Sequence, residues 1–132
     1  HDAARPLTPP QVTGRVIDAV AGGAGAVIPV LPVTDTLKTV DASGVVVGTP
    51  RRSDMVAVQT PQGFRWDVLI RAHEAGASLG ADEARAATDD AGLVEAIGAA
   101  VHTVAGDERS MKVTRPLDLA LARLLADQEQ AD

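Results

Sequence analysis

The sequence predicts an α/β domain with a mostly parallel sheet, and three observations support that prediction. Short apolar segments alternate with longer segments in which apolar residues recur at helical spacing. The chain has 132 residues, enough for one domain with a core of its own. Hydrophobic residues make up 45% and charged residues 23%, the balance of an ordinary globular protein. Strands that alternate with helices are typical of an α/β sandwich.

The first helix and strand are expected over residues 7–21 and 26–33. Thr8 is the expected N-cap of the helix, and the two prolines after it fit a first turn that needs no backbone donor. Residues 26–33 form a continuous apolar run, as in a strand buried on both faces. The two prolines of this run cannot donate to a ladder, so one part of it is expected at an edge or an end.

A β-hairpin is expected next. Residues 36–40 and 45–49 are rich in β-branched side chains and flank Asp41-Ala42-Ser43-Gly44, a four-residue turn that ends in glycine. A lone two-stranded ribbon is only marginally stable in water. We therefore expect this hairpin to lie on another part of the assembly, and a second subunit is a natural candidate.

The alternation continues through the rest of the chain. Residues 55–59 are expected as a strand, and a helix over residues 64–75 should carry Phe64 inward together with Val68, Leu69 and Ala72. Residues 82–87 are compatible with a helix, and Thr88 is the expected N-cap of a helix that ends at Ile97.

The last elements are two strands and a helix. Strands are expected over residues 101–105 and 111–113. Thr114 is the expected cap of a final helix over residues 115–129. The apolar stripe of that helix consists of Leu117, Leu121, Leu124 and Leu125.

Composition excludes several classes of function. The net charge of −6 and the presence of only two aromatic residues argue against a nucleic-acid or anionic membrane partner. Without cysteine there is no disulfide framework, thiol nucleophile or cysteine-bound zinc, which fits a cytoplasmic protein. No apolar run approaches the roughly 20 residues of a spanning helix, and no signal-peptide pattern is present.

The opening hexapeptide His1-Asp2-Ala3-Ala4-Arg5-Pro6 is the first candidate functional motif. Its small residues would let a ligand approach the backbone, and an aspartate at the carboxyl end of a strand is well placed to hold Mg²⁺. The alternative is a surface loop with a local Asp–Arg pair. The chain begins inside this motif without an initiator methionine, so we expect it to be part of a longer protein.

Three further patches supply cations and hydroxyls in an acidic chain, as a phosphate site requires. They are Asp35-Thr36-Leu37-Lys38, the segment 52–64 with Thr60-Pro61-Gln62, and Lys112-Val113-Thr114. Lys112 stands between two apolar residues, a position that favours a functional role for its charge. The alternative interpretation is that its aliphatic stem is buried and its ammonium group lies in solvent.

Other polar residues predict no site. His73 and His102 are expected on the surface, and Asp89 and Asp90 are explained by the electrostatics of a helix N-terminus. We find no Ser-His-Asp arrangement and no P-loop, and the glycines of residues 22–25 follow a helix, not the strand that a dinucleotide motif requires.

The ordered set of motifs resembles one enzyme family over the whole chain. The hexapeptide, the Asp35 and Thr60 patches, Thr88-Asp89 and the Lys112 patch are similar, in order and spacing, to the 2-C-methyl-D-erythritol 4-phosphate cytidylyltransferases of the non-mevalonate isoprenoid pathway. Ribitol-5-phosphate cytidylyltransferases share much of this set and are the nearest alternative. A non-catalytic dimerisation or binding module is the alternative from another class, and it would have no phosphate affinity.

The resemblance implies a fold, a reaction and an assembly. The fold is a Rossmann-like nucleotidyltransferase sandwich, with residues 1–132 as its C-terminal part and residues 33–54 as a protruding β-arm that joins two subunits in a homodimer. The enzyme would transfer a cytidylyl group from CTP to 2-C-methyl-D-erythritol 4-phosphate, giving 4-diphosphocytidyl-2-C-methylerythritol and pyrophosphate. The substrate phosphate attacks the α-phosphorus of CTP in line, helped by positioning and charge neutralisation.

The resemblance also implies roles for individual residues. Asp2 would help to hold Mg²⁺ or another divalent cation, and Asp2 and Lys112 would act in catalysis. The substrate or its phosphate would be contacted by Arg5, Thr60, Thr88 and Lys112. From the arm, Thr36 and Arg52 would reach the same pocket in the partner subunit.

The chain departs from the family pattern in three places. Ser110-Met111 stand where the family usually has Asn-Ile, and Leu117 stands where a glutamate usually completes the cap of the final helix, a contact worth ~1 kcal/mol. The Gly-rich loop that grips CTP belongs to an N-terminal half that this sequence lacks. We therefore expect these 132 residues alone to be inactive.

Overall fold

The structure, a computed structural model, describes residues 1–78 and 89–129. The α-helices in these ranges are α1 (Pro10–Ala21), α2 (Trp66–Ser78), α3 (Asp90–Ala96) and α4 (Pro116–Glu129), and short 3-10 helices lie at Arg52–Asp54 and Glu108–Ser110. The strands are β1 (Ala26–Pro32), β2 (Thr39–Val40), β3 (Val46–Gly48), β4 (Val56–Val58), β5 (Gly63–Phe64) and β6 (Val101–Ala105). The expectations for residues 82–87 and for the side chain of Thr88 lie outside the described residues. Within the described ranges, no helix is both long and apolar enough to span a bilayer.

Strand β1 is the centre of a four-stranded mixed sheet. The longest ladder is parallel and joins β1 to β6, from Ala26 opposite Val101 to Val30 opposite Ala105. The other edge of β1 carries β4 and then β5, both antiparallel. The predicted α/β class is confirmed, and β4 and β5 make the sheet mixed because the chain returns along β1 after the hairpin.

Pro29 lies in the middle of β1, and Pro32 lies at its end. The carbonyl of Pro29 accepts a hydrogen bond of 2.8 Å from the N–H of Gln59. Since the N–H and C=O of one strand residue point to the same edge, the missing donor of Pro29 faces the break between β4 and β5. A proline there lacks the bond that its N–H would return to Gln59, and this loss falls where the β4 ladder ends.

Helices cover both faces of β1. Ala26 is buried in a cluster with Val68 and Ala72 of α2 and Val94 of α3. Val27, which alternation places on the opposite face, is also fully buried. Helix α1 packs against β1, β5 and β6 and contributes nothing to the Ala26 cluster, so we assign it to that opposite face.

The predicted hairpin is confirmed, but its strands are shorter than the expected 36–40 and 45–49. Strands β2 and β3 pair antiparallel, and the Asp41 carboxylate accepts from Ser43 and from the N–H of Val45. Gly44 has a φ of 84°, which a residue with a side chain rarely adopts. The valines of the ribbon are exposed, with Val47 at 64%.

The starts of the first three helices differ from the prediction. Helix α1 starts at Pro10 with Pro9 as N-cap, and the Thr8 hydroxyl instead donates to the carbonyl of Arg5. Phe64 belongs to β5, where it pairs with Ala26, so α2 begins only at Trp66. The N-cap of α3 is Asp89, which accepts from the N–H of Gly92, so the assignment of that role to Thr88 was wrong.

The start of α4 is capped by its own first turn. The predicted strand over residues 111–113 does not form, although the N–H of Val113 donates to the carbonyl of Ala4. One oxygen of Asp118 accepts from the N–H and hydroxyl of Thr114 and from the N–H of Arg115. This carboxylate replaces the cap that the sequence lacks at Leu117.

The leucine stripe of α4 is exposed over most of its length. Leu117 is 75% exposed and Leu124 55%, whereas the buried positions of the helix are Asp118 and Ala122. The helical periodicity was predicted, but the stripe does not enter the core of the described residues.

Candidate active site

A cavity of about 830 Å³ collects most of the residues that the motifs singled out. The N-terminal loop, the segment after β4, helices α2 and α3 and the loop before α4 all contribute to it. The residues that line it include Asp2, Arg5, Gln59, Thr60, Gln62 and Lys112.

Asp2 is held by the loop that carries it. The N–H of Ala4 donates to Oδ1 of Asp2 over 2.9 Å, and the N–H of Asp2 donates to the hydroxyl oxygen of Thr60 over 3.0 Å. The Ala4 N–H, and then the Lys112 ammonium, hold the pKa of the Asp2 carboxyl below its ordinary value. Asp2 is therefore an ionised, oriented carboxylate at neutral pH.

Lys112 and Asp2 meet in the cavity, although they lie near opposite ends of the chain. Nζ of Lys112 is 3.0 Å from Oδ2 of Asp2, and the Lys112 side chain remains 50% exposed. An ion pair as open as this one contributes little to stability. Its cation remains accessible to a phosphate from solvent.

Arg5 fastens two segments of the chain to each other. Its NH1 donates to the carbonyl of Ser110 over 2.5 Å, and its NH2 donates to the carbonyl of Val58 over 3.2 Å. Burial lowers the pKa of Arg5, and the Asp2 carboxylate opposes that shift. The guanidinium stays charged and keeps further N–H donors, so its predicted contact with a substrate phosphate stays a prediction.

Thr60 ties the N-terminal loop to the end of β4. Its hydroxyl oxygen, which accepts from the N–H of Asp2, is also 2.9 Å from Nδ1 of His1. The Thr-Pro-Gln motif and the hexapeptide were separate signals in the sequence, and the structure brings them into direct contact.

Helix α3 is joined to the same motif by Gln62. The side-chain amide of Gln62 donates to Oδ2 of Asp89 over 2.7 Å and accepts from the N–H of Ala91. The next residue, Asp90, is 2.9 Å from Nε2 of His73 on α2. Asp89 and Asp90 lie at the N-terminus of α3, as predicted, but together with His73 they also line the cavity.

The two arm residues of the prediction do not join this cavity within one chain. Thr36 is exposed, and NH1 of Arg52 donates to the carbonyl of Thr34 over 2.7 Å. Neither Thr36 nor Arg52 lines the cavity. The side chain of Thr88 lies outside the described residues, although its neighbour Asp89 reaches the site.

Comparison with known proteins decides the family. The family model of the 2-C-methyl-D-erythritol 4-phosphate cytidylyltransferases matches residues 1–128. The chain belongs to this family. A member from Nocardia farcinica is 54% identical over 131 residues, which cover 99% of this chain and 54% of the relative. A member from Rhodococcus jostii is 53% identical over 128 residues, covering 97% of this chain and 54% of the relative.

A solved structure of a related protein also supports the fold assignment. The crystal structure of the cytidylyltransferase from Thermus thermophilus is 42% identical, with a TM-score of 0.80, and the match covers 96% of this chain and 60% of that one. The predicted Rossmann-like α/β fold is thereby confirmed. The chain spans about half the length of the curated cytidylyltransferases that it matches.

Proposed function

We propose that this chain is the C-terminal catalytic part of an enzyme that transfers a cytidylyl group from CTP to 2-C-methyl-D-erythritol 4-phosphate. The products are 4-diphosphocytidyl-2-C-methylerythritol and pyrophosphate, in isoprenoid precursor biosynthesis. The observation that carries the proposal is the Lys112–Asp2 pair in the cavity of a chain that belongs to this family.

Two cations in the cavity support a phosphate site, although Asp2, Asp89 and Asp90 also line it and the overall charge is −6. Lys112 offers an accessible ammonium beside the cavity, and Arg5 adds a guanidinium. Bound at Lys112, the acceptor phosphate is neutralised and oriented for attack. One of its oxygens forms a bond to the α-phosphorus of CTP as the bond from that phosphorus to the pyrophosphate leaving group breaks, so no other reactant is needed.

Asp2 fits a divalent cation as one ligand among several. No group of three or more histidine, cysteine or acidic side chains stands ready for a metal in the part of the chain that the structure describes. Mg²⁺ commonly uses one or two carboxylates together with substrate phosphates and waters, and Asp2 is ionised and faces the cavity. Bound there, the cation would neutralise charge on the nucleotide phosphates.

We assign the hairpin to a dimer contact. Its exposed valines form an apolar ribbon with no described partner, as an arm that packs on a second subunit requires. Thr36 and Arg52 lie outside the cavity of their own chain, so the contact that the family resemblance gives them would be made in the partner's cavity. On this proposal each active site combines residues from two subunits.

The remaining half of the enzyme would supply the nucleotide-binding loop. Relatives of about twice this length support that assignment. These 132 residues alone should then show no turnover with CTP, and cytoplasm remains the expected compartment on the absence of cysteine.

Pyrophosphate release from CTP by the full-length protein tests the proposal. Methylerythritol 4-phosphate and ribitol 5-phosphate serve as rival acceptors in otherwise identical reactions. Turnover with the first acceptor is the expected result. Turnover with ribitol 5-phosphate alone would replace the acceptor, and turnover with neither would leave a non-catalytic module.

A further inference from the structure

We propose that Gln59 is a positioning residue, which fixes the loop of residues 106–112 so that Lys112 faces Asp2 and can bind the acceptor phosphate. This inference rests on the proposed function. Gln59 lies in the segment 52–64, next to the Thr60-Pro61-Gln62 motif, but the sequence predicted no role for it. Its side chain is a buried polar group that forms hydrogen bonds with main-chain atoms of Asp107.

Two hydrogen bonds join the side chain of Gln59 to the main chain of Asp107. Gln59 is only 4% exposed. Its amide nitrogen donates to the carbonyl of Asp107 over 2.8 Å, and its amide oxygen accepts from the N–H of Asp107 over 3.0 Å. The side chain thus pairs with one residue of the loop as a neighbouring strand would.

Asp107, which Gln59 holds in place, in turn forms hydrogen bonds with later residues of the loop. The Asp107 carbonyl also accepts from the N–H of Ser110, and the Asp107 carboxylate accepts from the N–H of Arg109. At the start of the loop, the N–H of Gly106 donates to the carbonyl of Val30 on β1. A side chain at Gly106 would collide with the Gln59 amide, so the loop and Gln59 are fitted closely to each other.

Residues of the same loop contact the candidate active site. The carbonyl of Ser110 accepts from Arg5, and Lys112, two residues later, pairs with Asp2. Thr60, which follows Gln59, holds the N–H of Asp2. Two consecutive residues immediately after β4 therefore set the positions of both members of the Lys112–Asp2 pair.

Substitution of Gln59 should act on the acceptor more than on CTP. In Gln59→Glu the carboxylate has no N–H for the Asp107 carbonyl and repels it. Gln59→Met keeps the volume and removes both hydrogen bonds. The control is Gln11→Glu, the same change at an exposed glutamine of α1 away from the cavity.

Steady-state kinetics of the full-length enzyme give the main readout. We expect each Gln59 variant to raise the KM for methylerythritol 4-phosphate by about tenfold or more, with the KM for CTP within about twofold of wild type. Because Gln59 acts through Lys112, Gln59→Glu should add nothing to the effect of Lys112→Ala in the double variant. Equal changes in both KM values, additive effects, or loss of the fold in both Gln59 variants would each overturn the proposal.

Amide hydrogen exchange separates this inference from the proposed function. The N–H groups of Ser110 and Val113 are hydrogen-bonded but do not touch Gln59. They should exchange faster in Gln59→Glu than in Gln11→Glu, whether or not the acceptor is correct. Unchanged exchange would overturn the positioning role, whereas a wild-type enzyme without turnover would overturn only the proposed function.

Discussion

Nζ of Lys112 lies 3.0 Å from Oδ2 of Asp2, and this contact joins the N-terminal loop to the segment before α4 at the wall of the cavity. Both side chains are partly exposed, so the pair contributes little to folding. Substitutions at either residue should therefore change activity without unfolding the protein. Steady-state kinetics can then report the roles of Asp2 and Lys112 directly.

Asp2→Asn should lower the kcat of the full-length enzyme by about a hundredfold or more. The amide keeps the shape of the side chain but loses the charge that pairs with Lys112 and would help to hold the divalent cation. The measurement is the initial rate of pyrophosphate release at saturating substrates. Asp18→Asn, at an exposed position of α1, is the matched control, and an unchanged kcat in Asp2→Asn would refute the catalytic role.

Asp118 should make stability depend on pH in the acid range. Hydrogen bonds from the N–H groups of Arg115 and Thr114 lower the pKa of Asp118 from 3.8 to about 2. Because the folded-state pKa lies below the unfolded value, the stabilisation is complete above about pH 4 and is lost as pH falls through about 2. Urea unfolding should show Asp118→Asn to be less stable than wild type at neutral pH, with the difference shrinking between these values.

The control for that experiment is Asp127→Asn, at an exposed aspartate on the same helix. It should unfold as wild type does across the range. A gap between wild type and Asp118→Asn that stays constant down to about pH 2 would show that the charge of Asp118 does not cap α4.

Shared active sites predict subunit complementation. Asp2→Asn and Arg52→Ala should each be nearly inactive as homodimers, yet a heterodimer would contain one site with both residues intact. After dissociation and random reassociation of an equal mixture, about a quarter of the wild-type activity should return. Two Asp2→Asn preparations mixed in the same way provide the control. No recovery in a mixture that forms heterodimers would mean that Arg52 acts within its own subunit or not at all.

The parts of the fold that follow from local patterns were predictable. The apolar run of β1, the β-branched residues of β6 and the glycine turn of the hairpin are each encoded by neighbouring residues. Boundaries that depend on distant partners were not. Phe64 continues the helical pattern of the residues that follow it, but in the structure it pairs with Ala26 at the edge of β1.

The candidate site likewise contains some residues that could be predicted from the sequence and others that could not. Asp2 and Lys112 carry charges in short motifs, so their chemistry could be read from the sequence, and the structure supplies the contact between them. Gln59 is an uncharged residue next to a motif, and only its burial against Asp107 reveals a role. The Asp118 cap was missed because Leu117 occupies the position where the family usually has the acid, and the next residue takes over.

The most direct test of the central claim measures what the phosphate contributes to acceptor binding. Titration calorimetry with the full-length enzyme and an unreactive CTP analogue would compare methylerythritol 4-phosphate with unphosphorylated methylerythritol. The wild type should prefer the phosphate by about a hundredfold or more, and Lys112→Ala should lose most of that preference while binding the unphosphorylated polyol unchanged. An undiminished preference in Lys112→Ala, with Arg123→Ala as the matched surface control, would contradict the assignment of this cavity to the acceptor phosphate.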